Sequence, residues 1–270
     1  KFGSFLNYAK RLGGEYIATG HYARIQYRSN SLALLKGTDK NKDQSYFLNA
    51  IDEEALQSTI FPLGELNKTE VRSIAQENGL DIYQKKDSVG ICFIGERPFS
   101  DFLAKYIPDN PGKIIDSEGQ YLGQHRGLMH YTLGQRQGLG IGGLANHKPE
   151  PWYVANKDLK KNELIVVQGK DPLRYSDGLL TEVSHWINDD ESIVSKQNNF
   201  KCMSKIRYRQ ADQLCTVSAQ NNGSLLVRFD EKQLDVTPGQ FIVFYKEERC
   251  LGGAVIKNSI RDSSLGFNLS

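Results

Sequence analysis

The sequence holds no long apolar run. Nothing in it approaches the roughly 20 consecutive apolar residues that a bilayer-spanning helix needs, so no membrane span is expected. A secretory leader, with its basic start, apolar centre and small-residue cleavage site, is missing too. Cysteine is scarce: Cys92, Cys202, Cys215 and Cys250 include no Cys-x-x-Cys pair, and none stands at zinc-finger spacing from a histidine. So few cysteines suit a reducing compartment, where a lone thiol stays reactive. The five histidines are scattered, and His125 and His130 do not share a helical face. No metal site is expected. A large excess of one charge is also absent: 34 Lys and Arg against 32 Asp and Glu leave +2. Any contact with nucleic acid must therefore come from local basic patches rather than bulk charge.

What is present is the composition of a folded protein, with 39% hydrophobic and 24% charged residues in 270. That length gives room for two or three domains. Lys1 to Leu12 reads as a helix, with Phe5, Ala9 and Leu12 on one side and Gly13-Gly14 as its stop. Neither an initiator Met nor a capping residue precedes it, so the chain is expected to continue something longer. Tyr16 to Ala18 suits a buried strand, and Thr19-Gly20-His21 follows at its carboxyl end. Helix, strand, glycine-bearing loop is the rhythm of an open α/β sheet, whose ligands gather at strand carboxyl ends. Gly20 lets a ligand approach the backbone, or is a plain turn glycine; by itself the turn is favoured. His21 is a partner for phosphate or base, or a structural histidine.

Lys42, Asp43 and Gln44 offer a cation, an acceptor and an amide in succession, a mixture suited to phosphates and base edges. The same residues also fit a solvated helix start with Asp43 in its first turn. Residues 67 to 79 form the clearest helix: Asn67 and Glu70 match a capping box, Val71, Ile74 and Ala75 make an apolar stripe, and Gly79 ends it. A second short helix is expected from Ser100 to Ile107, before Pro108.

From 108 to 147 the chain is rich in glycine, and Gly138, Gly140 and Gly143 match the spacing G-x-G-x-x-G. A dinucleotide site needs a helix to open after that motif. Pro149 and Pro151 preclude one, leaving a loop that carries Arg126 and Arg136. Beyond 151 short strands take over, at Trp152 to Ala155, Glu163 to Val167, Leu179 to Ile187, Phe200 to Tyr208, Leu214 to Ala219, Leu225 to Phe229, Phe241 to Tyr245 and Cys250 to Ile256. Their alternation and spacing predict a small antiparallel barrel. Lys205, Arg207 and Arg209 alternate along one strand and are expected to project to a single face, with Tyr208 between them pointing the other way. Such a row either tracks a phosphate backbone or is the solvated side of the barrel.

The stretch Lys85 to Arg97 places Cys92 in a short apolar run (Ile91, Phe93, Ile94) between Gly90 and Gly95, with cations on both sides. Nearby positive charge favours a thiolate. Spacing alone favours a buried structural cysteine on a short strand.

Together these pieces resemble the MnmA (TrmU) family of tRNA-specific 2-thiouridylases. The resemblance rests on Ala18-Thr-Gly-His-Tyr22, Asn41-Lys-Asp-Gln-Ser-Tyr-Phe-Leu48, Lys86-Asp-Ser-Val-Gly-Ile-Cys-Phe-Ile-Gly-Glu-Arg97, Thr132-Leu-Gly-Gln-Arg136, Arg207-Tyr-Arg-Gln210 and Thr237-Pro-Gly-Gln240, in the family's order. It implies an α/β plus all-β protein: the C-terminal part of a PP-loop, adenine-nucleotide-hydrolase-like α/β domain (1–102), a small central domain (103–173) and a C-terminal antiparallel β-barrel that binds tRNA (177–258). It implies a cytoplasmic sulfurtransferase that uses ATP with Mg²⁺ to activate the 2-carbonyl of the wobble uridine as an adenylated intermediate. A cysteine persulfide then supplies the sulfur and AMP leaves.

By that match Cys92 is the persulfide-bearing cysteine and Gly20 a nucleotide-contacting glycine. His21, Lys42, Asp43, Gln44, Arg207, Tyr208 and Gln240 fall where the family touches tRNA. The implied partners are tRNA, namely those for Lys, Glu and Gln, and a sulfur-carrier protein. The family's pyrophosphate loop has no match here, nor does the segment whose cysteine forms a disulfide with the persulfide cysteine. The chain is therefore expected to be truncated, and inactive alone. Gln137 stands where a lysine is common in the family, which removes one phosphate contact. The competing expectation is a non-catalytic tRNA-binding module with a structural Cys92.

Overall fold

The computed structural model describes residues 1–27, 31–85, 105–142, 148–187 and 199–261. They form two compact units, one of Lys1–Lys85, Asp177–Lys232 and Pro238–Asp262, the other of Lys86–Ser176, Gln233–Thr237 and Ser263–Ser270.

In the first unit the chain opens with helix α1 (Ser4–Arg11), which buries Leu6 and carries Lys10 and Arg11 in its last turn, where they complement the helix dipole. Strand β1 (Ile17–Ala18) follows, then the hairpin of β2 (Ala23–Tyr27) and β3 (Leu32–Lys36), the short helix α2 (Glu53–Gln57), β4 (Thr59–Ile60) and helix α3 (Lys68–Glu77). β1 and β4 pair in parallel, Ile17 opposite Thr59. Asp52 caps α2 by accepting from Ala55 N at 2.7 Å. Leu32, Ala33 and Leu34 are all buried, because β3 is covered on both faces.

α3 starts and stops as its sequence predicts, with the Asn67/Glu70 capping box at one end and Gly79 at φ +68 at the other. Its apolar stripe is only partly covered among the described residues: the helix fully buries no residue, Val71 and Ala75 are half-buried, and Ile74 is exposed. The expected helix over 100–107 and the expected Cys92 strand lie in or across 86–104, outside the described residues; 105–107 form a turn.

The second unit holds β5 (Gly112–Ile115), β6 (Tyr121–His125), β7 (Trp152–Asp158) and β8 (Glu163–Gln168) in the order β6-β5-β8-β7. β5 and β8 run in parallel, while the β5–β6 and β7–β8 pairs are antiparallel. Ile114, Val154, Leu164 and Val166 form its core with Leu128, Tyr131 and Leu139. Residues 133–142 contain neither strand nor helix; the place just after Gly143, where a dinucleotide motif would open a helix, lies outside the described residues.

The barrel is built from β9 (Tyr175–Thr181), β10 (His185–Trp186), β11 (Phe200–Lys205), β12 (Gln213–Ala219), β13 (Leu225–Leu234), β14 (Phe241–Lys246) and β15 (Arg249–Ile260). Neighbours run β14-β11-β12-β13-β9-β15, and a β14–β15 pairing closes the ring. Closure removes the exposed edges that an open sheet would present. β15 is 12 residues long and pairs with four strands: β14, β9, β10 and, through Arg249 and Cys250, β3. The β2–β3 hairpin is thereby fused to the barrel in one sheet.

Gly252 is needed where β10 crosses, since a Cβ there would lie 2.2 Å from His185 O. Cys202 and Cys215 face each other across β11 and β12 as buried thiols, sulfur to sulfur 3.7 Å.

Three strand expectations need correction. Tyr16 to Ala18 is not a buried strand: β1 holds only Ile17 and Ala18, and Tyr16 and Ala18 are exposed. Leu179 to Ile187 is not one strand; β9 ends at Thr181 and β10 begins at His185. Phe200 to Tyr208 stops at Lys205, because the chain turns there: Ile206 N donates to Gln210 Oε1 at 2.8 Å and Gln210 N to Arg207 O at 3.2 Å. Lys205, Arg207 and Arg209 therefore do not form a row on one strand face.

Candidate functional site

Within the first unit, the turn after β3 and the turn after β11 meet across 166 residues of sequence, where the Tyr208 hydroxyl donates to Lys42 O at 3.4 Å. Between them lies a cleft of about 810 Å³ whose walls include Lys40, Lys42, Asp43, Tyr208, Arg209 and Gln210. That volume falls in the range of ligand sites.

Asp43 is buried, not part of a solvated helix start as the alternative expectation had it. Its Oδ1 accepts from Gly37 N at 3.1 Å and Ser45 N at 3.0 Å, and its Oδ2 from Ser45 Oγ at 3.1 Å. Those bonds satisfy backbone donors that would otherwise be orphaned, so Asp43 shapes the turn that presents Lys42. Gln44 locks the other side of the turn: its N donates to Tyr22 O at 2.8 Å, and its Oε1 accepts from Tyr22 N at 3.1 Å.

Beside the cleft is an aromatic step. The Phe47 ring is 57% exposed and lies 4.6 Å from that of Tyr208, centroid to centroid. Tyr46 meets Phe47 edge-on at 5.5 Å and donates its hydroxyl to Phe241 O at 2.9 Å. Burial pushes the Tyr46 hydroxyl up to about 12, against the opposing pull of the Arg207 charge, so it stays a donor. Arg207 is exposed in the turn next to this step. Gln240, also exposed, directly precedes Phe241, and its carbonyl accepts from Ile256 N at 2.7 Å. Cations beside exposed aromatic rings are the combination that holds single-stranded nucleic acid, by charge on phosphates and by stacking on bases.

At the carboxyl end of β1, Thr19 Oγ1 and His21 Nδ1 are 2.9 Å apart. The His21 ring packs against Phe2 and Phe61, with centroids 5.8 and 6.1 Å away. Desolvation and, second, the Lys1 charge lower its pKa, so it is neutral at pH 7 and offers hydrogen bonds rather than charge. Gly20 is exposed and outside the left-handed region, and a Cβ built on it would meet only Leu63 Cδ1, at an ordinary 3.8 Å. No turn requires glycine there.

Of the residues singled out in the sequence, Lys42, Asp43 and Tyr208 line the cleft, and Arg207 belongs to the same turn as Tyr208. Gln44 connects the Lys42 turn to Tyr22 beside His21, while Gln240 adjoins the aromatic step through Phe241. Cys92 lies outside the described residues. Sequence reasoning missed Phe47, Lys36, Asp212 and Tyr245. A lysine ending the apolar run Leu32–Leu35 was a signal for Lys36; Asp212 and Tyr245 carried none.

Three family models match in chain order: a "tRNA methyl transferase HUP domain" over residues 1–96, a "tRNA methyl transferase PRC-barrel domain" over 100–168 and an "Aminomethyltransferase beta-barrel domain" over 176–256. Similar proteins include one from Chromohalobacter salexigens, 54% identical over 260 residues, which are 96% of this chain and 67% of that protein. One from Hahella chejuensis is 53% identical over 259 residues, 96% of this chain and 70% of its own length. A third, from Legionella pneumophila strain Lens, is 51% identical over 262 residues, 97% and 72%. All three bear the name tRNA-specific 2-thiouridylase MnmA. With three domains matched in order and half its residues identical to these proteins, the chain belongs to the MnmA family of tRNA-specific 2-thiouridylases.

Proposed function

We propose that the protein, in its full-length form, transfers sulfur to tRNA, replacing the 2-oxygen of the wobble uridine, with Cys92 carrying the sulfur as a persulfide. The observation that carries this reading is 54% identity, over 96% of the chain, to a protein named as a tRNA-specific 2-thiouridylase. The cleft supports it, because its cations, the half-buried Tyr208 and the exposed Phe47 ring beside it are chemically matched to RNA.

Replacing oxygen by sulfur requires that the 2-oxygen become a leaving group. ATP with Mg²⁺ supplies that activation when bound, by placing an adenylyl group on the oxygen. The terminal persulfide sulfur attacks the carbon, the carbon–sulfur bond forms, and the oxygen departs with AMP. A second thiolate then attacks Cys92 Sγ and breaks its bond to the transferred sulfur, which stays on the uridine as the 2-thiocarbonyl, while the two cysteines are left as a disulfide. The exposed, unstrained Gly20 fits a nucleotide: a position with room for a Cβ yet held by glycine suits a ligand that uses that room.

In this reading Lys42 and Arg207 meet phosphates, Tyr208 and Phe47 offer faces for bases, and Gln240 and neutral His21 hydrogen-bond. Asp43 and Gln44 hold the turn from beneath. The substrates are tRNAs for Lys, Glu and Gln, and a cytoplasmic sulfur-carrier protein loads Cys92.

Cys92→Ser in the full-length protein tests the assignment. Nucleoside mass spectrometry should find no 2-thiouridine in tRNA, while tRNA affinity stays within about twofold of wild type. Thiolation at the wild-type level would remove Cys92 from the chemistry and leave a binding module.

A further inference from the structure

We infer that Lys205 and Asp212 are positioning residues for the tRNA face, acting through the turns they join and not by touching RNA. The inference rests on the reading of the cleft as that face. Lys205 is a cation on a strand that leads directly to Arg207, which makes it the obvious candidate for a phosphate contact. The structure puts Lys205 in the wall of the cleft but turns its ammonium toward carboxylates. Its side chain is only 12% exposed, with Nζ 3.8 Å from Asp43 Oδ2 and 3.6 Å from Asp212 Oδ1. The other oxygen of Asp212 accepts from Lys36 Nζ. Both ammonium groups lie over the ring of buried Tyr245, at 4.3 Å for Lys36 and 5.4 Å for Lys205.

The cluster ties three pieces of chain together. Lys36 ends β3, Asp43 sits in the turn that carries Lys42, and Lys205 and Asp212 bracket the turn that carries Arg207 and Tyr208. Asp212 Oδ1 is buried and accepts no hydrogen bond among the described residues, so the Lys205 charge is what offsets it. Asp43 organises its own turn through bonds to Gly37 and Ser45, and it too faces Lys205. Removing the ammonium would leave two carboxylates with less compensation in a poorly solvated place. The two turns would move apart, and the cation and ring they display would lose their common register.

The test uses the full-length protein, an unmodified tRNA transcript with a wobble uridine, and tRNA binding measured across a potassium chloride series. Lys205→Met should raise both Kd and KM for tRNA about tenfold, equivalent to about 1.4 kcal/mol of binding free energy. kcat at saturating tRNA should stay within about twofold, and KM for ATP should not move. The slope of log Kd against log salt should match wild type, because Lys205 touches no phosphate. Lys205→Arg, which keeps the charge, should recover affinity to within about threefold. Arg207→Ala is the contrast: it should weaken binding and reduce the salt slope by about 1.

Asp212→Asn, nearly isosteric, should reproduce the Lys205→Met pattern and provides the reading if the methionine variant does not fold. A salt slope reduced by about 1 in Lys205→Met would make Lys205 a phosphate ligand and overturn the inference. Unchanged tRNA affinity in both variants would overturn it as well, and so would failure of both to fold, which would reduce the cluster to a stability element. Wild-type protein that binds no tRNA would instead bring down the underlying reading of the cleft.

Discussion

Glycine at position 20 answers to no demand of the fold, unlike Gly64, where a Cβ would stand 2.0 Å from Ala23 O. The two are indistinguishable in sequence, because φ and the distance to neighbouring backbone are properties of the folded chain. Comparing them tests the proposed nucleotide role of Gly20 against the packing role of Gly64. Gly20→Ala should leave the unfolding midpoint nearly unchanged, within the roughly 0.5 kcal/mol typical of surface substitutions, and raise KM for ATP several-fold. Gly64→Ala should lower the midpoint by several degrees. A Gly20→Ala protein with normal ATP kinetics would remove that residue from the nucleotide site. His21 shows the same limit of sequence: it is legible as polar and well placed, but its neutral state follows from the packing of Phe2 and Phe61 around it.

At the scale of elements, local signals are legible and endings less so. The strands of the barrel can be read because alternation survives in them, with Cys215 and Val217 inward and Thr216 and Ser218 less buried. β11 is shorter than its sequence suggests. Its alternation of buried and exposed residues continues through Ile206 and Arg207, and only the bond from Ile206 N to Gln210 Oε1 reveals the turn. In α3 both ends are legible, since capping chemistry is local: Glu70 Oε2 accepts from Asn67 N at 2.6 Å, and Gly79 at φ +68 ends the helix; the further bond from Lys68 N to Asp39 Oδ2, at 3.0 Å, reaches across 29 residues and is not legible. Its stripe has the spacing of a packed face and is only partly covered among the described residues.

α3 thus depends more on its cap than on its stripe. Replacing both members of the capping box, Asn67→Ala with Glu70→Ala, should cost about 1 kcal/mol in urea unfolding. Ile74→Ser should cost less than about 0.5 kcal/mol. The reverse ranking would show that the Ile74 face is covered in the full-length protein.

Pairings between distant parts of the chain are the least legible, because they exist only once β15 has joined the barrel to the β2–β3 hairpin. Lys36 with Asp212 is one such pair; Arg174 with Asp235, in the second unit, is likewise made only by folding. There Nε and Nη2 of Arg174 donate to the two carboxylate oxygens at 2.9 and 2.7 Å, and Nη1 to Gly169 O at 2.6 Å. The guanidinium stacks 3.7 Å from the centre of the Tyr153 ring. Both side chains are largely buried, so the pair is not the screened surface kind that contributes little.

Asp235 also has φ +53, a left-handed backbone that Asp and Asn tolerate better than most residues. Removing one partner strands the other charge. Arg174→Met should therefore destabilise this unit by about 3–5 kcal/mol in urea unfolding. Asp235→Asn on that background, which keeps the backbone preference and deletes the stranded charge, should restore more than half of the loss. A loss under about 1 kcal/mol in the single variant would mean that solvent reaches the pair and that the small core of this unit holds residues 233–237 without it.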